Sequence, residues 1–283
     1  MIQDLIYDVG LNKGNDTAYY LHRGFRVVAI EANPTLVSLA RERFKREIAE
    51  NRLVILNVGI AEKQGQLPFW VCETKSEWSS FDRRIASRDG SEHHAITIDC
   101  CRFESILEEY GVPYYLKVDI EGNDFLCLQD LQGRELPKYI SIETSGISLL
   151  TTLHNLGYTS FKWISQINFL PLEIFPSDEQ KYQEKLQRLL YSKRLPLRIL
   201  RKLGLKRWLN SQINRNRYFN DWFFSYGSSG AFGEDLLGGW QSFDEIRNTY
   251  EHFQKLRKAG QPSLFWTNKG YSFWTDFHAR KDG

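Results

Sequence analysis

Carboxylates stand where apolar runs end. Asp8 follows Leu5-Ile6-Tyr7, Glu31 follows Val27-Val28-Ala29-Ile30, and Asp119 follows Tyr115-Leu116-Lys117-Val118. Glu121 comes two residues later, and Glu143 closes Tyr139-Ile140-Ser141-Ile142. Strand ends of one open α/β sheet face one crevice, so acids far apart in the chain converge there. Such a carboxylate can accept hydrogen bonds from a ribose, take a proton from an attacking hydroxyl, or hold a divalent cation. Between Asp8 and a helical pattern from Ala18 to Arg23 lies a polar loop with Gly10 and Gly14. Glycine serves where backbone turns sharply or presses against a ligand, because it has no Cβ. Glu31 sits about 20 residues past Gly10, the offset at which an acid meets a ribose.

The loop is not the nicotinamide fingerprint, which needs G-x-G-x-x-G, and no Gly-Lys-Ser/Thr follows it as a P-loop requires. Asp8-Val9-Gly10-Leu11-Asn12-Lys13-Gly14 instead resembles the first motif of class I S-adenosylmethionine (SAM) methyltransferases. An anionic strand end suits a cationic sulfonium better than a pyrophosphate. With Glu31-Ala32-Asn33-Pro34 and Lys117-Val118-Asp119-Ile120-Glu121-Gly122, the chain is similar to FkbM-type methyltransferases. Ile96-Thr97-Ile98-Asp99, the stretch Ser228 to Glu234 and the stretch Trp274 to Ala279 resemble further family segments.

The resemblance implies a SAM pocket shaped by backbone at Gly10, Asn12 and Gly14. Asp8 then lies near the sulfonium or amino-acid end, and Glu31 accepts from the ribose hydroxyls. Asn33, Asn57, Val58 and Gly59 border the adenosine. For the acceptor side, Asp119 and Glu121 are the leading catalytic candidates. Alternate residues of an extended segment share a side, so both can hold a nucleophile, act as base, or bind a cation. Capping of the helix near Asn123 is an equal reading for Glu121. An ion pair of Lys117 with Asp119 accounts for those two without chemistry. Glu143 is a further base, and His93, His94 and His278 are weaker candidates. No zinc-like spacing exists, so no structural metal is expected. A weakly held Mg²⁺ remains compatible with carboxylates.

The supporting elements follow from pattern. Strands are expected at residues 3–8, 25–30, 53–58, 114–119, 138–143 and 158–164, with two more at 67–72 and 94–99. A helix from Pro34 to about Glu50 carries Leu36, Leu39, Ala40, Phe44 and Ile48 on one face, with Asn33 as N-cap. Helices are also expected at 102–110, after Asn123, and at 147–156. The alternation implies parallel strands with helical crossovers. The fold class is therefore α/β. By resemblance it is a Rossmann-like class I methyltransferase fold with a mostly parallel seven-stranded sheet and helices on both faces. A last strand near 271–279 is then expected between the fifth and sixth. Residues 1–167 and 271–283 form the expected core, and 168–270 a largely helical insertion on the substrate side.

The polar segment around Trp78-Ser79-Ser80-Phe81 is either a lid or a solvated excursion. In the insertion, residues 179–209 read as helical, broken at Pro196 and Gly204. The stretch 181–217 is basic and amphipathic. It suits a membrane surface or a partner, although packing on its own domain is the favoured reading. The aromatic stretch Tyr218 to Tyr226 suits either core packing or a wall for a sugar, and core packing is favoured for most of its rings. The glycine-rich stretch Gly227 to Gly233 is the preferred substrate-side loop.

With 283 residues the chain can bury a full core. A formal charge of +2 offers no global field for nucleic acid. Cys72, Cys100, Cys101 and Cys127 lack disulfide or metal spacing, so buried free thiols are expected. No signal peptide or membrane span is read, so the expected location is cytoplasmic, with or without peripheral membrane contact. SAM-dependent O-methylation of a sugar or glycosylated natural-product hydroxyl leads the functional readings. A nicotinamide-dependent oxidoreductase and a non-catalytic SAM-binding module are the alternatives.

Overall fold

The computed structural model describes residues 1–191, 195–261, 263, 265 and 274–282. They form two compact units, Met1–Thr159 with His278–Gly283, and Ser160–Phe277. The first contains β1 (Ile2–Val9), β2 (Arg26–Ile30), β3 (Leu53–Leu56), β4 (Gly59–Ile60), β5 (Gly65–Cys72), β6 (His93–Cys101), β7 (Pro113–Val118) and β8 (Tyr139–Glu143). Its helices are α1 (Asn15–His22), α2 (Pro34–Arg43), α3 (Lys45–Ala49), α4 (Arg83–Ala86), α5 (Phe103–Tyr110), α6 (Asp124–Asp130) and α7 (Ile147–Leu156). The remaining elements are β9 (Ser160–Ser165), α8 (Asp178–Tyr191), α9 (Leu195–Leu200), α10 (Lys206–Ile213), β10 (Tyr218–Phe219), β11 (Trp222–Phe223), α11 (Phe243–Lys258) and β12 (Thr275–Arg280).

Seven strands form one sheet in the order β3-β2-β1-β7-β8-β12-β9. The pairs β3–β2, β2–β1, β1–β7 and β7–β8 are parallel. Strands of such a sheet are covered on both faces and read as continuous apolar runs. Accordingly Leu5 to Val9 and Val27 to Ile30 are buried throughout. The last strand takes the place between β8 and β9 that the resemblance implied. The expected residues 271–273 of that strand lie outside the described residues.

Two sequence expectations are corrected. Asn57 and Val58 do not extend β3, which ends at Leu56, and Gly59–Ile60 opens a second sheet. That sheet is three-stranded, β4-β6-β5, and holds the two further strands expected near 67–72 and 94–99, here β5 and β6. β5 and β6 pair antiparallel, as strands joined in sequence readily do. The helix expected from 34 to 50 breaks at Phe44 into α2 and α3. Its buried face is Leu36, Val37, Ala40 and Phe44, whereas Leu39 is 64% exposed. At about 100° per residue those four fall within one sector, and Leu39 lies about 60° beyond it.

In the second unit, Trp163 is wholly buried among Tyr250, Phe253 and Phe277. Its indole N–H donates to Thr275 Oγ1 at 2.9 Å. α11 begins with a capping box, Ser242 and Glu245 each closing the other's backbone N–H. Of the aromatic stretch, Phe224 is buried, but Tyr218, Phe223 and Tyr226 are exposed. Core packing therefore fails for these three rings. Tyr218 and Phe223 are cross-strand partners in the β10–β11 hairpin, their ring centroids 4.8 Å apart and the rings tilted by 49°. Of the four free cysteines, Cys101 is only half-buried.

Candidate functional site

The ends of β1, β2 and β7 are laced together by backbone. Gly10 and Leu11 N–H groups donate to Ile30 O at 3.0 Å each, and Asp119 N–H donates to Val9 O at 2.9 Å. Gly10 has φ +94°, and a Cβ there would lie 1.8 Å from Asp119 O. Only glycine permits both this conformation and this approach. Gly14, φ +73°, starts α1 beside the Phe44 ring, which a Cβ would strike at 2.6 Å.

Beneath the loop lies an ion cluster. Lys117 Nζ donates to Asp8 Oδ1 and Gly10 O at 3.0 Å each, and stands 3.6 Å from Asp16 and 3.7 Å from Asp119. Asp8 also accepts from Thr17 Oγ1 at 2.6 Å. Burial alone would lower the Lys117 pKa, but Asp8, Asp119 and Asp16 hold it well above its ordinary value. Asp8 is wholly enclosed and engaged by Lys117 and Thr17. It therefore serves as the counter-ion of Lys117 at the end of β1, beneath the turn where the sulfonium or amino-acid end is expected.

Glu31 follows the end of β2 and grips two backbone donors. Its Oε2 accepts from Asn12 N–H and its Oε1 from Asn33 N–H, both at 2.8 Å. Each oxygen keeps a further lone pair for a ligand. Burial raises its pKa, against those two hydrogen bonds and Lys117. Asn33 caps α2 through Thr35 N–H at 3.0 Å. Asn57 Nδ2 donates to Glu31 O and Ala32 O at 3.0 and 3.1 Å, so its amide supports the turn that presents Glu31. Val58 is half-buried, and the space over Gly59 is filled by the Phe81 ring.

Asp119 and Glu121 share the end of β7, but not by strand alternation. β7 stops at Val118 and Glu121 has φ +50°. Burial pushes Asp119 up to about 6 against the pull of Lys117, and Glu121 up to about 7 against the pull of Arg88. Glu121 does not cap α6; it pairs with Arg88 at 3.0 Å. Asp124 binds the turn instead, accepting from Ile120 and Gly122 N–H at 3.0 Å each. Asn123 Nδ2 donates to Ile60 O at 2.8 Å rather than to its helix.

The segment around Trp78, read from sequence as either a lid or a solvated excursion, touches this site at three points. Ser76 Oγ donates to Asn12 Oδ1 at 2.9 Å, Ser80 Oγ donates to Glu121 O at 2.6 Å, and Arg88 holds the Glu121 carboxylate. Hydroxyl and guanidinium spacing in a loop carries no period, so no pattern announced these contacts. Glu143 ends β8, one strand over from β7, and is half-buried. His93 and His94 lie on β6 with Arg83 and Glu73 as respective neighbours, and His278 is buried on β12. Among the described residues no three His, Cys, Asp or Glu side chains are grouped to hold a metal.

A parallel sheet ordered this way, with a glycine turn and an acid at consecutive strand ends, defines the Rossmann-like class I methyltransferase fold. The chain belongs to the methyltransferase FkbM domain family, whose model matches residues 8–159. The segments near 228–234 and 274–279 lie beyond that match. Methyltransferase FkbM from Methylobacillus flagellatus KT is similar at 18% identity over 50% of this chain and 32% of its own, with TM-score 0.34. Precorrin-6y C5,15-methyltransferase from Geobacter metallireducens GS-15 is similar at 15% identity over 58% of this chain and 70% of its own, with TM-score 0.32. The match thus spans about a third of the FkbM structure. No curated protein matches the chain.

Proposed function

We propose that the chain is a SAM-dependent methyltransferase acting on a hydroxyl of a sugar or glycosylated natural product. The observation that carries the cofactor is charge. Asp8, Asp16, Glu31, Asp119, Glu121 and Asp124 surround the strand ends, against Lys117 and Arg88. Such a cradle favours a cationic sulfonium and opposes a pyrophosphate. Glu31, positioned by Asn12 and Asn33, is the acceptor for ribose hydroxyls.

SAM supplies an already activated methyl group. The protein has chiefly to align the acceptor and take its proton. Asp119 and Glu121 suit the second task, because acids held near 6 and 7 exchange protons around neutral pH.

Separate calorimetric titrations with SAM, S-adenosylhomocysteine and NAD(H) test the cofactor. Binding of both sulfur nucleosides is expected; NAD binding without SAM binding would replace the reading with an oxidoreductase. Radiolabelled methyl transfer across a saccharide panel tests the acceptor class, and label appearing only on non-sugar acceptors would refute it.

A further inference from the structure

The corner where α9 turns into α10 exposes Ile199, Leu200, Leu203 and Trp208 within ten residues, with Leu203 at 77%. Gly204, φ +111°, makes the turn, and nothing lies within 4 Å of the position a Cβ would take. These side chains are not the helices' packing face. Leu209 and Leu186 already supply that, both buried. Gln183 on α8 donates to Gln212 O on α10 at 3.3 Å, tying the pair together. The exposed set is therefore apolar surface beyond what this unit's core uses.

Cations are interleaved with it. Lys202, Lys206 and Arg207 are exposed and form no ion pair among the described residues. Several neighbouring cations are committed: Lys181 to Asp178, Arg188 to Glu184, Arg215 to Glu179, and Arg217 to the carbonyls of Phe224, Ser225 and Ile167. Residues 181–217 hold 12 of the chain's 37 lysines and arginines but one of its 35 acids. The rest of the chain, with 25 basic residues against 34 acids, is net negative. An anionic surface thus attracts this stretch and repels the remainder.

We propose that this corner docks the protein on an anionic lipid bilayer, independently of its catalytic reading. Leucine and isoleucine at a turn, cations on its flanks and a half-exposed tryptophan match an element that enters the headgroup region without crossing it. Among the described residues no helix is long and apolar enough to span. An acidic protein partner would satisfy the cations but has no requirement for the protruding Leu203.

Co-sedimentation of the full chain with vesicles decides the matter. Binding is expected to phosphatidylcholine mixed with phosphatidylglycerol, to weaken with added salt, and to be nearly absent from phosphatidylcholine alone. Lys202→Glu/Lys206→Glu/Arg207→Glu should lower partitioning about a hundredfold or more, each lost cation counting about fivefold. Leu203→Glu should weaken binding even at low salt. All four side chains are exposed, so circular dichroism should report unchanged folding. A wild-type protein that stays in the supernatant with both vesicle types, binds both equally, or binds no better than these variants overturns the proposal.

Discussion

Lys117 Nζ lies 3.0 Å from Asp8 Oδ1, with 4% and 0% of the two side chains exposed. The pair links β7 to β1 directly beneath the glycine turn, because Lys117 also donates to Gly10 O. Removing one partner of a buried pair strands the other charge. Lys117→Met should therefore cost about 3–5 kcal/mol in urea unfolding. Adding Asp8→Asn should recover part of that loss, since the stranded anion is gone. Additive losses in the double variant would show that the pair is not coupled.

Two glycines with similar backbone separate strain from contact. Gly10 and Gly24 have φ of +94° and +88°, but a Cβ at Gly24 meets nothing within 4 Å. Gly24→Ala should cost only the left-handed conformation, about 1–2 kcal/mol. Gly10→Ala adds a clash with Asp119 O that backbone must move to relieve. It should lower the melting temperature further than Gly24→Ala and abolish SAM binding, whereas Gly24→Ala binds normally. Equal melting temperatures would contradict the packing described.

The acids at strand ends and the parallel crossovers were legible because burial on both faces writes continuous apolar runs. Asn33 declared its cap through the following Pro34, and the Thr35 N–H bond realises it. Asp8 was legible as a strand-end acid, but its pairing with Lys117, 109 residues away, was not. The separate β4-β6-β5 sheet was hidden because its strands look like any others until paired. α11 was missed although Ser242-Phe243-Asp244-Glu245 carries its start signal. The exposed Tyr218 and Tyr226 show the limit of composition, since aromatic density does not reveal which side faces water.

Glu31 has two tasks that substitutions can divide. It fixes the turns at Asn12 and Asn33 through their N–H groups and offers remaining lone pairs to a ribose. Glu31→Ala leaves one buried and one partly buried donor unpaired, each worth about 1–3 kcal/mol, so it should weaken both fold and binding. Glu31→Gln keeps one carbonyl acceptor. It should reduce SAM affinity at least about tenfold while losing less stability. Calorimetry beside thermal unfolding reads both. Unchanged affinity in Glu31→Gln would remove Glu31 from the cofactor assignment.

Proton linkage at Asp119 and Glu121 gives a test that needs no acceptor. Their ordinary values are 3.8 and 4.5, and burial brings them to about 6 and about 7. Acids raised in the folded state favour folding below their ordinary values, and that contribution is lost as pH rises through 6 and 7. The ligand-free protein should accordingly lose part of its stability across that interval. A cation beside them favours the ionised forms, so a sulfonium should bind more tightly as they deprotonate. S-adenosylhomocysteine lacks that charge and should gain little. The preference for SAM over S-adenosylhomocysteine should thus widen from about pH 5 to about pH 8, with SAM binding releasing protons at the lower end. Glu121→Gln should remove the upper part of the rise while leaving the lower part to Asp119. A preference flat with pH in the wild type would mean that neither acid faces the sulfonium.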